Sequence, residues 1–489
     1  MNFKKQHVIL VLIGALILGF GGAFFGVQVA KSNLSGVEQT PISENITTEE
    51  KNESGNPTET PENMNKVVEA YSLIKQNYLE DVDNQQLIEG AIQGMLDTLE
   101  DPYSTYMDVE TMKSFNETIE SSFQGIGAEV SMVNDTVTII APIKNSPAEE
   151  SGLRPNDQVL SVDGESLEGL DLFEAVEKIR GKKGSEVVLK IKRPGVTEPF
   201  DVTITRDDIP LQTVYSEIKT IEGKKTGVIE ITTFSEKTAE SFKKQLAELE
   251  EKGIEGLVID VRGNPGGLLN AVEEILKEFI PEDIPYIQIE DGNGKKTPYY
   301  SNLKEKKPYP VSVLVNEGSA SASEILAVSM KEIGYEVVGT KSFGKGTVQK
   351  AIPFGDGSNI KLTFYKWLSP EGNWIHEKGV KPTIKVEQPA YFYTNPIQIK
   401  EPLTFNQTGE KVENIQIMLR GLGYNPGRSD GYFNKETVEA VKRFQEDFDL
   451  EVTGQVDKET AGVIESKVVE KVRSGEDDKQ LEKALNSLY

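Results

Sequence analysis

The chain contains no cysteine. Disulfides, thiolate nucleophiles and cysteine-ligated metals are excluded together. Histidine is almost as scarce, with only His7 and His376, and His7 lies in an N-terminal apolar run. A Ser-His-Asp triad would have to use His376, and a histidine-rich metal site cannot be built. Basic charge is also short. There are 53 Lys and Arg against 79 Asp and Glu, a formal net charge of −26. Phosphate recognition needs clustered Lys and Arg, so nucleic acid and anionic lipid are poor partners. The acidity reads as a solvated surface. What is present is an ordinary globular balance, 37% apolar and 27% charged over 489 residues, enough for roughly three domains.

The run Gln6–Ala30 has no charged residue, with Lys4 and Lys5 before it and Lys31 after it. A membrane-spanning helix needs about 20 such residues. The positive N-terminal flank keeps that end inside and sends the rest of the chain across. Residues 1–31 read as a membrane anchor. A cleaved signal peptide, with Gly21 and Ala23 as small residues before the cut, is the alternative. Both place the body on the extracytoplasmic side. Residues 32–63, rich in Ser, Thr, Asn, Pro and Glu, cannot bury enough surface to offset chain entropy and read as a disordered linker.

Helical spacing of Val67, Val68, Tyr71, Leu73 and Ile74 opens an ordered helical segment, 64–107. It continues with a helix over 86–99 and a break at Asp101-Pro102-Tyr103. Residues 108–206 are expected to form the next domain. From Ser121 the pattern becomes short strands: 126–132, 136–140, 158–162, 186–192 and 199–206, with one amphipathic helix over 170–179. Gly125-Ile126-Gly127-Ala128, Ser146-Pro147-Ala148, Gly152-Leu153 and Asp157–Gly164 together resemble a PDZ domain. The resemblance implies capture of a peptide C-terminus by strand addition. The glycine loop would take the carboxylate, Leu172, Val176 and Ile179 would line a pocket or serve as core, and Arg180 would either contact the carboxylate or remain solvated.

Residues 207–392 alternate strands and helices, the mark of an α/β fold. A buried strand over 256–261 runs into Asp260-Val261-Arg262-Gly263-Asn264-Pro265-Gly266-Gly267. The Gly-Gly pair brings backbone N–H groups close to a ligand or simply turns the chain. The strand 311–315 runs into Gly318-Ser319-Ala320-Ser321-Ala322-Ser323-Glu324 and a helix. A serine at such a turn gains from the free N–H groups of the helix N-terminus. Yet Ser321-x-x-Glu324 also has the form of a capping box. Gly339-Thr340-Lys341-Ser342-Phe343-Gly344-Lys345 is close to a phosphate-binding loop, but Gly346 stands where that motif needs Ser or Thr, and residues 347–352 read as a strand.

With cysteine absent and histidine nearly so, a Ser-Lys pair is an available solution. A free lysine, with pKa near ~10.4, is almost wholly protonated at pH 7, so such a base must be desolvated. Asp101-Pro102-Tyr103, the PDZ-like segment, Asp260–Gly267, Gly318–Glu324, Phe343–Gly346 with Gln349, and Ser369-Pro370-Glu371-Gly372 through Gly379–Pro382 occur in the order found in the C-terminal processing peptidases, or tail-specific proteases. The chain resembles that family from about Met64 to Val386. The resemblance implies Ser321 as nucleophile, Lys345 as general base, Gln349 as its orienting partner, and oxyanion donors at Ala322 and at Gly266 or Gly267. Ser319 and Ser323 share the turn, and spacing alone does not choose among the serines. The stretch between Ser321 and Lys345 is one residue shorter than usual, and Thr383 stands where the family often has Asp. No metal or cofactor is implied.

Residues 401–470 resemble a small helical peptidoglycan-binding domain, through Tyr424, Asp430, Gly431 and Phe444. A copy used for homodimerisation is the alternative. Residues 471–489 read as a charged tail forming a peripheral helix. The expected architecture is a multidomain α/β chain: N-terminal membrane helix, helical segment, PDZ domain, α/β Ser-Lys protease core and helical C-terminal module. It would cleave protein substrates near their C-termini. A non-catalytic, cell-wall-tethered PDZ scaffold is the rival reading.

Overall fold

The computed structural model describes residues 64–489, apart from 134–135, 395–396, 398 and 400. The run Gln6–Ala30 and the linker 32–63 lie outside the described residues. Among the described residues, no helix is long and apolar enough to cross a membrane.

The chain opens with helices α1 (Asn65–Asn77) and α2 (Asn84–Asp97). Asp83 caps α2 by accepting the Gln86 N–H at 3.0 Å. Val67, Val68, Leu73 and Ile74 of α1 remain exposed. After the Asp101-Pro102 break come strand β1 (Thr105–Met107) and helix α3 (Val109–Glu120), capped by Asp108. The expected domain boundary at residue 108 is displaced here. Met107, Phe115 and Ile119 belong to the large core of the protease region, with Met112 packed against it. The apolar spacing of α3 announces one buried face but not which core receives it.

The PDZ-like body has its own core, which includes Ile126, Val137, Ile139, Val159 and Leu189. Its elements are β2 (Ser122–Gly125), β3 (Ala128–Val133), β4 (Thr136–Pro142), α4 (Pro147–Glu150), β5 (Gln158–Val162), β6 (Glu165–Ser166), α5 (Leu172–Ile179), β7 (Glu186–Lys192), β8 (Phe200–Thr205) and β9 (Asp207–Pro210). The sheet order is β3-β4-β5-β7-β8, with β6 beside β5, while β2 pairs with β9. In β7, Val187, Leu189 and Ile191 are buried in alternation, as a sheet with one packed face requires. Asp171 and Glu174 close a reciprocal capping box at the start of α5.

The protease region begins with β10 (Val214–Ile221), β11 (Lys224–Ile231), α6 (Thr238–Glu251), β12 (Gly256–Asp260) and α7 (Leu269–Leu276). It continues with β13 (Pro285–Glu290), β14 (Lys296–Tyr300), β15 (Val311–Val315), α8 (Ala322–Glu332), β16 (Glu336–Gly339), β17 (Thr347–Pro353), β18 (Asn359–Leu368) and β19 (Ile384–Lys385). The main sheet runs β10-β11-β12-β15-β16-β19. Only the β10–β11 pair is antiparallel; the others are parallel. Every residue of β15 is buried, as expected for a parallel strand covered on both faces. A second sheet, β1-β18-β13-β14 with β17 beside β18, completes the body.

Helices α9 (Glu410–Gly421), α10 (Lys435–Asp447) and α11 (Lys458–Ser474) form a third core with Tyr391. Within it Phe444 is fully buried, and the Tyr424 hydroxyl donates to Asp447 at 2.6 Å. The last helix, α12 (Lys479–Asn486), is not peripheral. Ala484 and Leu485 are buried against Val228, Val258, Leu314 and Val338 on the main sheet. Leu481, Ala484, Leu485 and Leu488 form an apolar stripe at helical spacing that the surrounding charges conceal. Phe115→Ala is expected to cost about 3 kcal/mol. In hydrogen exchange it should loosen α6 and β11 while leaving β4, β5 and β7 protected. Loosening confined to the PDZ-like strands would return α3 to that domain.

Candidate active site

Ser321 lies between β15 and α8 with φ 54° and ψ −113°. Positive φ is costly for a residue with a Cβ, and it persists only where the surroundings over-determine it. Here they do. Asn316 Oδ1 accepts the N–H groups of Gly318 (3.0 Å) and Gly263 (2.8 Å). The Ala320 N–H donates to Asn264 O at 3.1 Å. The neighbouring hydroxyls are spent on the same loop, Ser319 on Val261 O and Ser323 on Asn264 O, both at 2.8 Å. Ser321 instead lines a small recess with Gly267, Leu269, Thr347 and Trp367.

The Gly-Gly turn lies against this serine. A Cβ on Gly266 would fall 2.8 Å from Ser321 Cβ, and one on Gly267 would fall 2.0 Å from Phe234 O. The two glycines differ in what they offer. The Gly266 N–H already donates to Asn264 Oδ1 at 2.8 Å. The N–H groups of Gly267 and of Ala322, the first residue of α8, have no acceptor among the described residues. Two unspent donors thus border the recess beside the hydroxyl.

Glu324 joins the serine turn to the lysine loop. Its Oε2 accepts the N–H of Ser321 at 2.9 Å and of Lys345 at 2.8 Å. Its Oε1 accepts the Ser342 hydroxyl and the Gly344 N–H, both at 2.6 Å. The carboxyl is fully buried, and burial raises its pKa against the pull of these four hydrogen bonds. The sequence pattern showed Glu324 only as half of a capping box. Nothing in it signalled the reach to Lys345.

Lys345 is 3% exposed. Desolvation, helped by the charge of Lys361 and opposed by Asp101 and Glu324, brings its pKa down to about 7. Its Nζ lies 4.7 Å from the centre of the Tyr103 ring. Asp101 Oδ2 accepts the hydroxyls of Ser104 and Thr363, each at 2.6 Å. Thr363 in turn receives Gln349 Nε2 at 3.0 Å. The other amide atom, Gln349 Oε1, is buried and accepts no hydrogen bond. The Asp101-Pro102-Tyr103 break therefore reaches the lysine environment directly. His376 stacks on Trp374 and accepts the Gly346 N–H at 3.2 Å through Nδ1.

The PDZ-like residues are remote from this cluster in sequence and packing. The carbonyls of Ile126 and Gly127 are held by the N–H groups of Ala148 and Ile143, while the Ile126 and Gly127 N–H groups have no acceptor among the described residues. Gly125 pairs with Asp207 in the β2–β9 ribbon, and Ala128 begins β3. Leu172 and Val176 are half-buried; Ile179 is core. Arg180 pairs with Glu117 of α3 at 3.0 Å and lies over the Phe123 ring, so it ties the PDZ-like body to the protease side.

Comparison with known proteins gives consistent matches. The model for peptidase family S41 matches residues 225–386, and a PDZ domain model matches 124–204. A peptidoglycan binding domain model matches 408–464, and that of the activating protease CtpB N-terminal domain matches 16–111. The carboxy-terminal processing protease CtpB of Bacillus subtilis (strain 168) is 50% identical over 490 residues, covering 100% of both chains. CtpA of the same organism is 41% identical over 87% of this chain and 90% of its own. The solved photosystem II D1 C-terminal processing protease aligns at 24% identity over 67% of this chain and 94% of that chain, with a TM-score of 0.41.

Glu324→Gln tests the joint between the two loops. An amide offers one acceptor where the carboxylate offers two, and its NH₂ would face N–H donors. The variant is expected to lose about 2 kcal/mol of stability, read by urea unfolding. Peptide cleavage should fall at least about tenfold. Full stability and full turnover would show that the carboxylate does not set the geometry.

Proposed function

We propose, for a chain that belongs to peptidase family S41 and is a carboxy-terminal processing serine protease, that Ser321 is its nucleophile and Lys345 its general base. The observation that carries this reading is the buried lysine, held near neutrality and tied through Glu324 to the backbone of the one turn serine whose neighbours are both spent on carbonyls.

In this reading neutral Lys345 removes the Ser321 proton as Oγ attacks the peptide carbonyl. The developing oxyanion is received by the N–H groups of Ala322 and Gly267; Gly266, its own N–H engaged, serves by its missing side chain. Gln349 Oε1, buried and unpaired in the structure, is the acceptor left to receive the Lys345 amine and aim it during the reaction. The protonated lysine then returns its proton to the departing amine. Water repeats the sequence on the acyl-enzyme, with the lysine again as base.

The PDZ domain takes the substrate's C-terminal carboxylate on the unspent N–H groups of Ile126 and Gly127, with Leu172 and Val176 facing the terminal side chain. The Arg180–Glu117 tie supports a gating role, because it joins α5 to a helix packed on the protease core. The charge-free run Gln6–Ala30 between lysines supports an anchored, extracytoplasmic body. The C-terminal module supports contact with peptidoglycan. The exposed apolar residues of α1 support a homodimer through that helix.

Ser321→Ala is expected to reduce cleavage of an unfolded substrate at least about 10³-fold; mass spectrometry of the products that still finds wild-type rates would remove the nucleophile. The pH dependence has a definite sign. The base works only when neutral, so kcat/KM should rise with pH through a midpoint of about 7. Lys361→Met removes a nearby positive charge and should move that midpoint upward. Stability follows the same sign. The unfolded chain holds the Lys345 proton to about 10.4, so between the two values it binds more protons than the folded chain, and this contribution to stability rises with pH.

A further inference from the structure

The loop that carries Gly266 and Gly267 leaves β12 at Asp260 and turns at Arg262. All five guanidinium N–H donors of Arg262 are used. Nε lies 2.9 and 3.1 Å from the two oxygens of Asp260. One terminal nitrogen donates to Asp478 Oδ1 at 2.8 Å and Gln480 Oε1 at 3.2 Å. The other donates to Asp260 Oδ2 at 2.6 Å and Asp478 Oδ2 at 2.7 Å. Side-chain exposure is only 15% for Arg262, 12% for Asp260 and 11% for Asp478. Burial works against the Arg262 charge, but the two carboxylates hold it above its ordinary value.

Asp260 alone would neutralise this arginine, and it lies two residues away on the same loop. The second carboxylate comes from the segment joining α11 to α12. There Asp478 is itself fixed. Its Oδ1 accepts Gln388 Nε2 at 2.7 Å and caps α12 by accepting the Leu481 N–H at 2.9 Å. The apolar face of α12 then lies on the main sheet. A bidentate, nearly dry arginine–carboxylate contact is geometrically demanding. It sets the position of the Arg262 backbone at the near end of a short strap, which is held further along at Gly263 by Asn316, at Asn264 by Ile231 O and at Gly266 by the Phe234 N–H before it reaches Gly267.

We propose that Asp478 is a positioning residue for proteolysis: by holding Arg262 it fixes the Gly266–Gly267 turn so that the Gly267 N–H faces the oxyanion formed at Ser321. The C-terminal segment is then a working part of the protease rather than an appendage. This inference rests on the proposed function, with Ser321 as nucleophile and Gly267 as an oxyanion donor.

Asp478→Asn in the full chain is the test. Asparagine still caps α12 but removes the charge opposite Arg262. The expected result is a fall in kcat of about tenfold with KM within about twofold. A peptide boronate, whose tetrahedral adduct needs the same N–H, should lose affinity in parallel. A non-cleavable substrate peptide should bind as to wild type. Leu481→Ala is the control, loosening α12 without touching the carboxylate. Gln388→Ala is the milder second variant should the first not fold, with an expected fall in kcat of about threefold. Unchanged kcat in these Asp478 and Gln388 variants overturns the proposal. So does an equal loss in the control at matched thermal midpoint, or a fall in kcat without loss of boronate affinity. Failure of the underlying assignment is seen separately, as cleavage that survives Ser321→Ala.

Discussion

Glu324 is buried with four donors converging on its two oxygens, and two of these donors are the backbone N–H groups of Ser321 and Lys345. Serine and lysine arrive from different connections of the sheet, one after β15 and one after β16. Neither loop is regular structure, and each contains residues at positive φ. A carboxylate that requires all four donors cannot let one loop shift without exposing a buried charge to an unmade hydrogen bond. The register of Ser321 and Lys345 is thereby coupled to the integrity of the core around them.

That coupling also shapes the electrostatics. The lysine must be withdrawn from water to lose its proton near neutral pH, yet two acids lie near it. Asp101 accepts from Ser104, Thr363 and the Tyr103 N–H, and Glu324 accepts from three backbone N–H groups and the Ser342 hydroxyl. Both raise the Lys345 pKa through their charge, against the desolvation and the Lys361 charge that lower it. The centre of the Tyr103 ring lies 4.7 Å from the Lys345 amine.

Much of this was legible in the residue pattern. Fully apolar runs such as Val311–Val315 mark strands covered on both faces, and the turns after them locate the loops. The same pattern could not separate Ser319, Ser321 and Ser323, because which hydroxyl is spent on a carbonyl depends on a strand distant in sequence. It could not choose between Gly266 and Gly267, since the difference lies in one side-chain acceptor on Asn264. It gave α3 to the wrong neighbour and read α12 as peripheral. An amphipathic stripe states that a face is buried but not against what. The role of Glu324 was hidden for a related reason: its capping motif is genuine and local, while its second contact crosses to another loop.

The packing of α12 has a consequence for the order in which the molecule is made. Its apolar face covers β11, β12, β15 and β16, all of them translated earlier. Contacts so distant in sequence form late, and domains tend to assemble in the order of synthesis. Until residues 478–486 have emerged, one side of the parallel sheet stays wet and Arg262 has a single carboxylate for company. A nascent chain therefore carries its serine and lysine well before it carries the helix that finishes the fold around them. For a protease that must be made without digesting its surroundings, the order of translation itself holds a piece of the scaffold back.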